Sequence, residues 1–239
     1  MPNNLADLLQ NNPYPGRGIM LGRSEDGSRT VLIYFIMGRS ENSRNRVFAR
    51  TSDGLRTKAY DPQKLSDPSL VIYNPVRVTN GRTIVTNGDQ TDTIRDYLES
   101  GGDFQAALRT REFEPDAPNY TPRISGLVER DGSYTLSILK TAGGDPACCC
   151  RYFFEYPNPL PGTGHFISTY QSDGDPLPSF TGEPIPVSLA ACGESLETFA
   201  DTVWNALDAD NKVSLYAREI VIATGESRDI IINKNGESV

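Results

Sequence analysis

From Arg17 onward, apolar residues recur at strand-like spacing: Ile19 and Leu21, then Val31, Ile33 and Phe35, on either side of Glu25-Asp26-Gly27-Ser28. Two runs with a polar turn between them predict a hairpin. The same pattern predicts a second hairpin from 45–51 and 55–60 around Ser52-Asp53-Gly54, and a third from 70–78 and 83–85. Asn80-Gly81, between the third pair, suits a tight two-residue turn. Ahead of these, Leu5–Gln10 reads as one short helical turn or a loose end.

The period then lengthens. Ile94, Tyr97 and Leu98 share one face of a helix over 91–99, with Asp89 or Thr91 as its cap. Gly101-Gly102 breaks it, and Asp103 caps a second short helix through Leu108. A proline-bearing loop over 114–122 leads to a strand at 124–130, and Asp131-Gly132 turns into another at 134–139. Further strands are expected at 151–156 and 164–170, followed by a long surface loop over 173–186, rich in Pro, Gly and Asp. After Ser195, Leu196, Phe199, Val203 and Leu207 recur at helical spacing, and strands at 213–223 and 228–232 close the pattern. No repeat and no linker separates two cores, so residues 1–239 read as a single α+β domain, its sheets covered by helices packed outside.

Composition narrows the function. The chain of 239 residues carries a net charge of −8, which argues against coating a nucleic acid, since that needs a basic face against phosphates. It leaves room for a small anionic ligand, because a few arginines set the field of a cleft locally. No apolar run is long enough to span a membrane, and residues 1–10 lack a secretory signal, so a cytoplasmic protein is expected. Cys148, Cys149 and Cys150 are consecutive and Cys192 lies far along the chain, an arrangement unsuited to a disulfide framework and compatible with a reducing compartment. With His165 as the single histidine, most zinc patterns are absent and a thiol mechanism lacks an obvious partner.

Four segments carry candidate chemistry. From Met37 to Lys58, six cations (Arg39, Arg44, Arg46, Arg50, Arg56, Lys58) face Glu41 and Asp53, a local excess of four in an acidic chain. A guanidinium fork matches phosphate oxygens, and Ser40 adds a neutral donor; the plainer account is a solvated hairpin. Asn87-Gly88-Asp89-Gln90-Thr91-Asp92 stands at a strand-to-helix junction, where Asp89 and Asp92 suit ribose hydroxyls; the plainer account is a turn and a cap. In 114–126, Glu114 and Asp116 can act as acid or base and Arg123 can stabilise a developing oxyanion, or the stretch is a capped loop feeding a strand. Tyr73-Asn74 ends an apolar run, where a tyrosine more often packs than carries a proton.

Taken in order, Tyr14-Pro15-Gly16-Arg17-Gly18-Ile19, Tyr34 with Gly38-Arg39-Ser40, Tyr73-Asn74, Asn87-Gly88-Asp89 with Thr91-Asp92, and Tyr120-Thr121-Pro122-Arg123-Ile124 resemble the archaeal-type IMP cyclohydrolases over about the first 140 residues. The resemblance implies a four-layer αββα sandwich of mostly antiparallel sheets, like that of the N-terminal-nucleophile hydrolases but without self-cleavage. It implies conversion of 5-formamidoimidazole-4-carboxamide ribotide to IMP and water, with no metal or organic cofactor. The expected partners are a phosphoribosyl nucleotide and, as a homo-oligomer, further copies of the chain; neither nucleic acid nor membrane is expected. Carried over position by position, Tyr73 and Glu114 become proton carriers, and Arg123 with Asn74 and Thr121 positions the base and the oxygen. Arg39 and Ser40, helped by Arg44, anchor the phosphate, while Asn87 and Asp89 face the ribose. The chain departs from the family in its extended start, its 41–46 stretch and its 173–186 loop, which leaves two other readings open: a non-catalytic purine-nucleotide-binding regulatory protein, or an amide hydrolase of other specificity.

Overall fold

Asn80 and Gly81 both take positive φ, at 50° and 72°, the geometry that lets a two-residue turn follow the twist of its strands. Such local turn chemistry sets most of the strand boundaries in this computed structural model, which describes residues 2–190 and 195–236. In chain order the elements are α1 (Leu5–Gln10), β1 (Arg17–Arg23), β2 (Arg29–Met37), α2 (Glu41–Arg44), β3 (Arg46–Thr51), β4 (Gly54–Ala59), β5 (Val76–Thr79) and β6 (Arg82–Thr86). Then come α3 (Gln90–Glu99), α4 (Phe104–Arg109), β7 (Arg123–Val128), β8 (Tyr134–Ala142) and β9 (Asp145–Tyr156). The last are β10 (Thr163–Ser168), β11 (Ile185–Ser188), α5 (Leu196–Ala206), β12 (Lys212–Val221) and β13 (Ser227–Asn233).

The fold is α+β, with few helices and antiparallel pairing between neighbouring strands. One sheet has six strands in the order β11-β10-β1-β2-β12-β13, and the other has seven in the order β3-β4-β5-β6-β7-β8-β9. Alternation along a strand sends successive side chains to opposite faces. On β2, Ile33 and Phe35 join Leu5, Leu9, Phe199 and Val203 of α1 and α5, whereas Leu32, Tyr34 and Ile36 join Phe48, Leu55, Val85 and Ile124 of the other sheet. Both faces of β2 are therefore buried, which explains its unbroken Val31-Leu32-Ile33-Tyr34-Phe35-Ile36-Met37 run. A third cluster, Ile84, Leu127 and Leu139 with Ile94, Leu98, Phe104 and Leu108, packs α3 and α4 on the seven-stranded sheet.

Several sequence expectations need correction. Residues 70–75 form turns, not a strand, and hang on one hydroxyl. Thr57 Oγ1 donates to Val71 O (2.8 Å) and accepts from Tyr73 N (2.8 Å). Asp103 caps α4 as expected, accepting from Ala106 N, and Ser195, where the helical spacing begins, caps α5 by accepting from Thr198 N. Asp89 instead makes no cap bond at α3, because two arginines claim its carboxylate. β9 begins at Asp145, well ahead of 151, and takes in the three cysteines, all unpaired. The 173–186 loop is not wholly a surface feature: Leu177 and Phe180 are buried, and its end enters β11. Cys192 lies outside the described residues. Among the described residues no helix is long and apolar enough to cross a membrane, which says nothing about spanning by strands.

Candidate functional site

One set of polar side chains gathers between the two sheets. The start of β1 brings Arg17, β2 brings Tyr34, and the chain after β10 brings Tyr170. From the other sheet come Arg46 at the start of β3, Tyr73 on its turn, Asn87 after β6, and Glu114 and Thr121 on the loop that Glu114 N closes on Thr121 O (2.9 Å). Their contacts cross between the sheets. Tyr34 and Tyr73 share a hydroxyl–hydroxyl bond of 2.8 Å, Arg17 Nη2 lies 3.5 Å from Glu114 Oε2, and the Thr121 and Tyr170 hydroxyls meet at 2.5 Å. Arg46 Nη2 also crosses, donating to Met37 O at 3.3 Å.

Glu114 is 1 % exposed. Its Oε1 accepts from Asn87 Nδ2 (3.2 Å). Burial raises its pKa, and the nearby charges of Arg17 and Arg123 offset that only in part. A buried carboxyl with a raised pKa takes up a proton more readily than a solvated one. Burial likewise pushes Tyr34 well above the ordinary tyrosine value, so Tyr34 keeps its proton and can donate it in the bond to Tyr73. Burial carries Tyr170 up to about 12, and Thr121 is held in turn by Asp116, which accepts from both its hydroxyl and its amide.

Arg46 is also 1 % exposed. Its Nε donates to Ser43 O (2.7 Å), its Nη1 has no partner, and no carboxylate among the described residues pairs with it. Burial accordingly lowers its pKa. Arg17 also feels burial, but Glu114 and the tyrosine oxygens around it hold its pKa well above the usual arginine value. At the rim, Arg39 lies over the Tyr14 ring (5.0 Å), Tyr14 stacks on Tyr170 (5.9 Å), and Arg39 Nη1 pairs with Asp173 (2.7 Å).

A second network extends from Asn87. Its Oδ1 accepts from Ile124 N (2.8 Å) and Gln90 Nε2 (3.0 Å), and Gln90 Oε1 accepts from Arg123 Nη1 (2.7 Å). Arg123 and Arg111 both pair with Asp89 and outweigh its burial, holding that carboxyl below the ordinary aspartate value. A Cβ at Gly88 would stand 2.6 Å from Arg123 Nη1, so a larger residue here would displace that guanidinium.

Six of the residues singled out from sequence, Tyr73, Glu114, Arg123, Asn87, Asp89 and Thr121, therefore fall in linked networks, with Arg39 at the rim. Three are not brought in. Asn74 donates to Asp92 (3.2 Å), Ser40 caps α2 by accepting from Ser43 N (3.1 Å), and Arg44 donates to Gly38 O and Asn211 Oδ1. Sequence reasoning gave no site role to Arg17, Tyr34, Arg46 or Tyr170, although Arg46 lay in the charged candidate stretch and Arg17 and Tyr34 in the motifs of the resemblance. The signal was an arginine or a tyrosine hydroxyl set beside strand positions that are otherwise apolar. Among the described residues no group of three His, Cys, Asp or Glu is arranged to hold a metal ion.

A family model described as IMP cyclohydrolase-like protein matches residues 14–234, a span that includes every site residue named above. A protein from Methanopyrus kandleri named IMP cyclohydrolase is 30% identical over 161 residues, which cover 66% of this chain and 75% of that relative. Proteins of the same name from Methanosphaera stadtmanae (26% over 162 residues; 66% of this chain, 74% of the relative) and Methanococcus maripaludis strain C6 (33% over 128 residues; 51% and 61%) are also similar.

Proposed function

The chain belongs to the IMP cyclohydrolase-like family, and from that premise we propose that it is an IMP cyclohydrolase, closing the ring of 5-formamido-1-(5-phosphoribosyl)imidazole-4-carboxamide to give IMP and water. The observation that carries the reading is the buried Glu114 carboxyl, held by Asn87 and by Arg17, whose charge also interacts with Tyr73.

In this reaction the carboxamide nitrogen attacks the formyl carbon of the same molecule. A C–N bond forms, the carbonyl electrons move onto the formyl oxygen, and the adduct then loses that oxygen as water. The two groups are already tethered, so much of the acceleration comes from holding them in near-attack geometry. What remains is proton traffic. The departing oxygen takes up two protons, one from the carboxamide nitrogen and one from the formamido nitrogen, which forms the new C=N bond as the C–O bond breaks. In our reading Tyr73 and Glu114 carry these protons. Arg17 offsets charge on Glu114, and Arg123 with Thr121 positions the base and the oxygen. Asn87 and Asp89 face the ribose. Arg39 anchors the phosphate by exchanging Asp173 for it, both side chains being partly exposed.

The proposed architecture is a single four-layer αββα domain like that of the N-terminal-nucleophile hydrolases. The three separate apolar clusters, one on each side of the paired sheets and one between them, support it. A cytoplasmic location suits the substrate.

Incubating purified protein with the formamido ribotide and following IMP formation tests the activity. Protein that binds IMP but never forms it above the uncatalysed rate would replace this reading with that of a regulatory nucleotide-binding protein. The anchor is tested separately. Arg39→Ala is expected to weaken IMP binding by about 1.5–3 kcal/mol, the worth of a hydrogen bond to a charged group, and to leave inosine binding nearly unchanged. Equal losses for the two ligands would remove Arg39 from that role.

A further inference from the structure

The two sheets have four outer edges, and three are closed by other parts of the chain. β11 is four residues long and Asn3 lies along it, donating to Pro186 O and accepting from Ser188 N. β3 is closed by the Asn233 side chain, which bonds both the N–H and the carbonyl of Phe48, and by Arg50 reaching Asp229 O. β13 packs against β3 at the same corner. β9 differs. It is 12 residues long, it pairs with β8 alone, and no strand among the described residues lies along its other side.

An open edge presents a row of backbone donors and acceptors to any extended segment, and proteins usually blunt such edges with lysine, proline or a short strand. β9 has Pro146 near its start, but 147–156 contains neither lysine nor proline. Instead it carries Tyr152, 42 % exposed and stacked on Phe154 at 6.5 Å.

The segment Arg151-Tyr152-Phe153-Phe154-Glu155 is complementary to itself when reversed about Phe153. We propose that β9 pairs antiparallel with β9 of a second copy of this chain, with the two-fold axis passing through Phe153, so that two seven-stranded sheets join into one. In this register Arg151 stands opposite the partner's Glu155 on the face that carries α3 and α4. Tyr152 stands opposite the partner's Phe154 on the other face. The pairing is isologous, so each contact is made twice. The charged groups have capacity left for it. Arg151 uses Nε and Nη2 on Arg111 O (3.2 and 2.7 Å), with Nη2 also 3.8 Å from Glu112 Oε1, and Glu155 uses Oε1 on Gln105, which leaves Nη1 and Oε2. The proposal does not rest on the reaction assigned above.

Sedimentation equilibrium over a micromolar concentration series reads the assembly directly. The wild-type chain is expected to associate. Glu155→Arg sets like charges opposite each other at both ends of the pair, leaves the Arg151 contact with Arg111 intact, and should weaken association at least tenfold. Tyr152→Lys, an exposed position on the other face, should weaken it as well. Adding Arg151→Glu to Glu155→Arg exchanges the two charges and should recover the association, which only this register predicts. A wild-type chain that stays monomeric would overturn the proposal. So would an oligomer whose affinity neither Glu155→Arg nor Tyr152→Lys changes while the circular dichroism spectrum and Tm stay at wild-type values.

Discussion

Tyr73→Phe is expected to lower kcat by about 10²–10⁴, the usual worth of a positioned proton carrier, while IMP binds nearly as well as to the wild type. The ring packs on its turn whether or not it bears oxygen, and the segment around it is held by Thr57 through backbone groups, so the substitution leaves the shape of the site in place. What disappears is one hydroxyl, whose partner is the Tyr34 hydroxyl at 2.8 Å. An interaction made mainly in the transition state shows as lost kcat with retained affinity. Single-turnover rates with the formamido ribotide, set beside calorimetric titration with IMP, separate the two quantities. A variant matching the wild type in both would move the proton role to Glu114 alone.

The largest stability effect is expected at Arg17. Arg17→Met removes the guanidinium beside a carboxyl that is itself buried, and stranding one member of a buried ion pair costs about 3–5 kcal/mol. The loss should depend on pH with a definite sign. Burial already raises the Glu114 pKa above its ordinary 4.5, and without Arg17 it rises further. The folded state then binds the proton more tightly than the unfolded chain, so stability falls as pH rises from about 4.5 toward the folded-state value. Below that window both states carry the proton and the penalty vanishes. Urea denaturation of variant and wild type at pH 4.5, 6 and 8 should therefore show a gap that widens with pH. A gap of constant size would mean that Arg17 does not offset the charge of Glu114.

Where turn chemistry is local, the fold was legible in the sequence. The Asn80-Gly81 turn and the Asp103 cap act within a few residues of themselves, and the structure has them as read. Asp89 looked like another cap, but its partners, Arg111 and Arg123, lie far along the chain and outbid the helix end. Leu177 and Phe180 are isolated among prolines and glycines, so no period marked them as core. The site divides in the same way. Glu114, Asn87 and Arg123 stand in short segments dense in polar residues, where chemistry is sought, and Tyr73 stands beside Asn74 at the end of an apolar run. Arg17, Tyr34 and Arg46 are set beside or within apolar runs, and only burial distinguishes them from ordinary strand residues. Arg46 was counted in a charged stretch that read as a solvated hairpin, yet it is the least exposed cation of that stretch.

The bonds from Tyr34 to Tyr73, Arg17 to Glu114 and Tyr170 to Thr121 all bridge the two sheets, so neither sheet alone holds the whole constellation. Turnover in this protein is thus a gauge of docking. A state that keeps every hairpin but lets the inter-sheet core loosen would retain its far-ultraviolet circular dichroism and lose the juxtaposition on which proton transfer depends. Substitutions deep in that layer, such as at Leu32 or Val85, should therefore register in rate before they register in secondary structure.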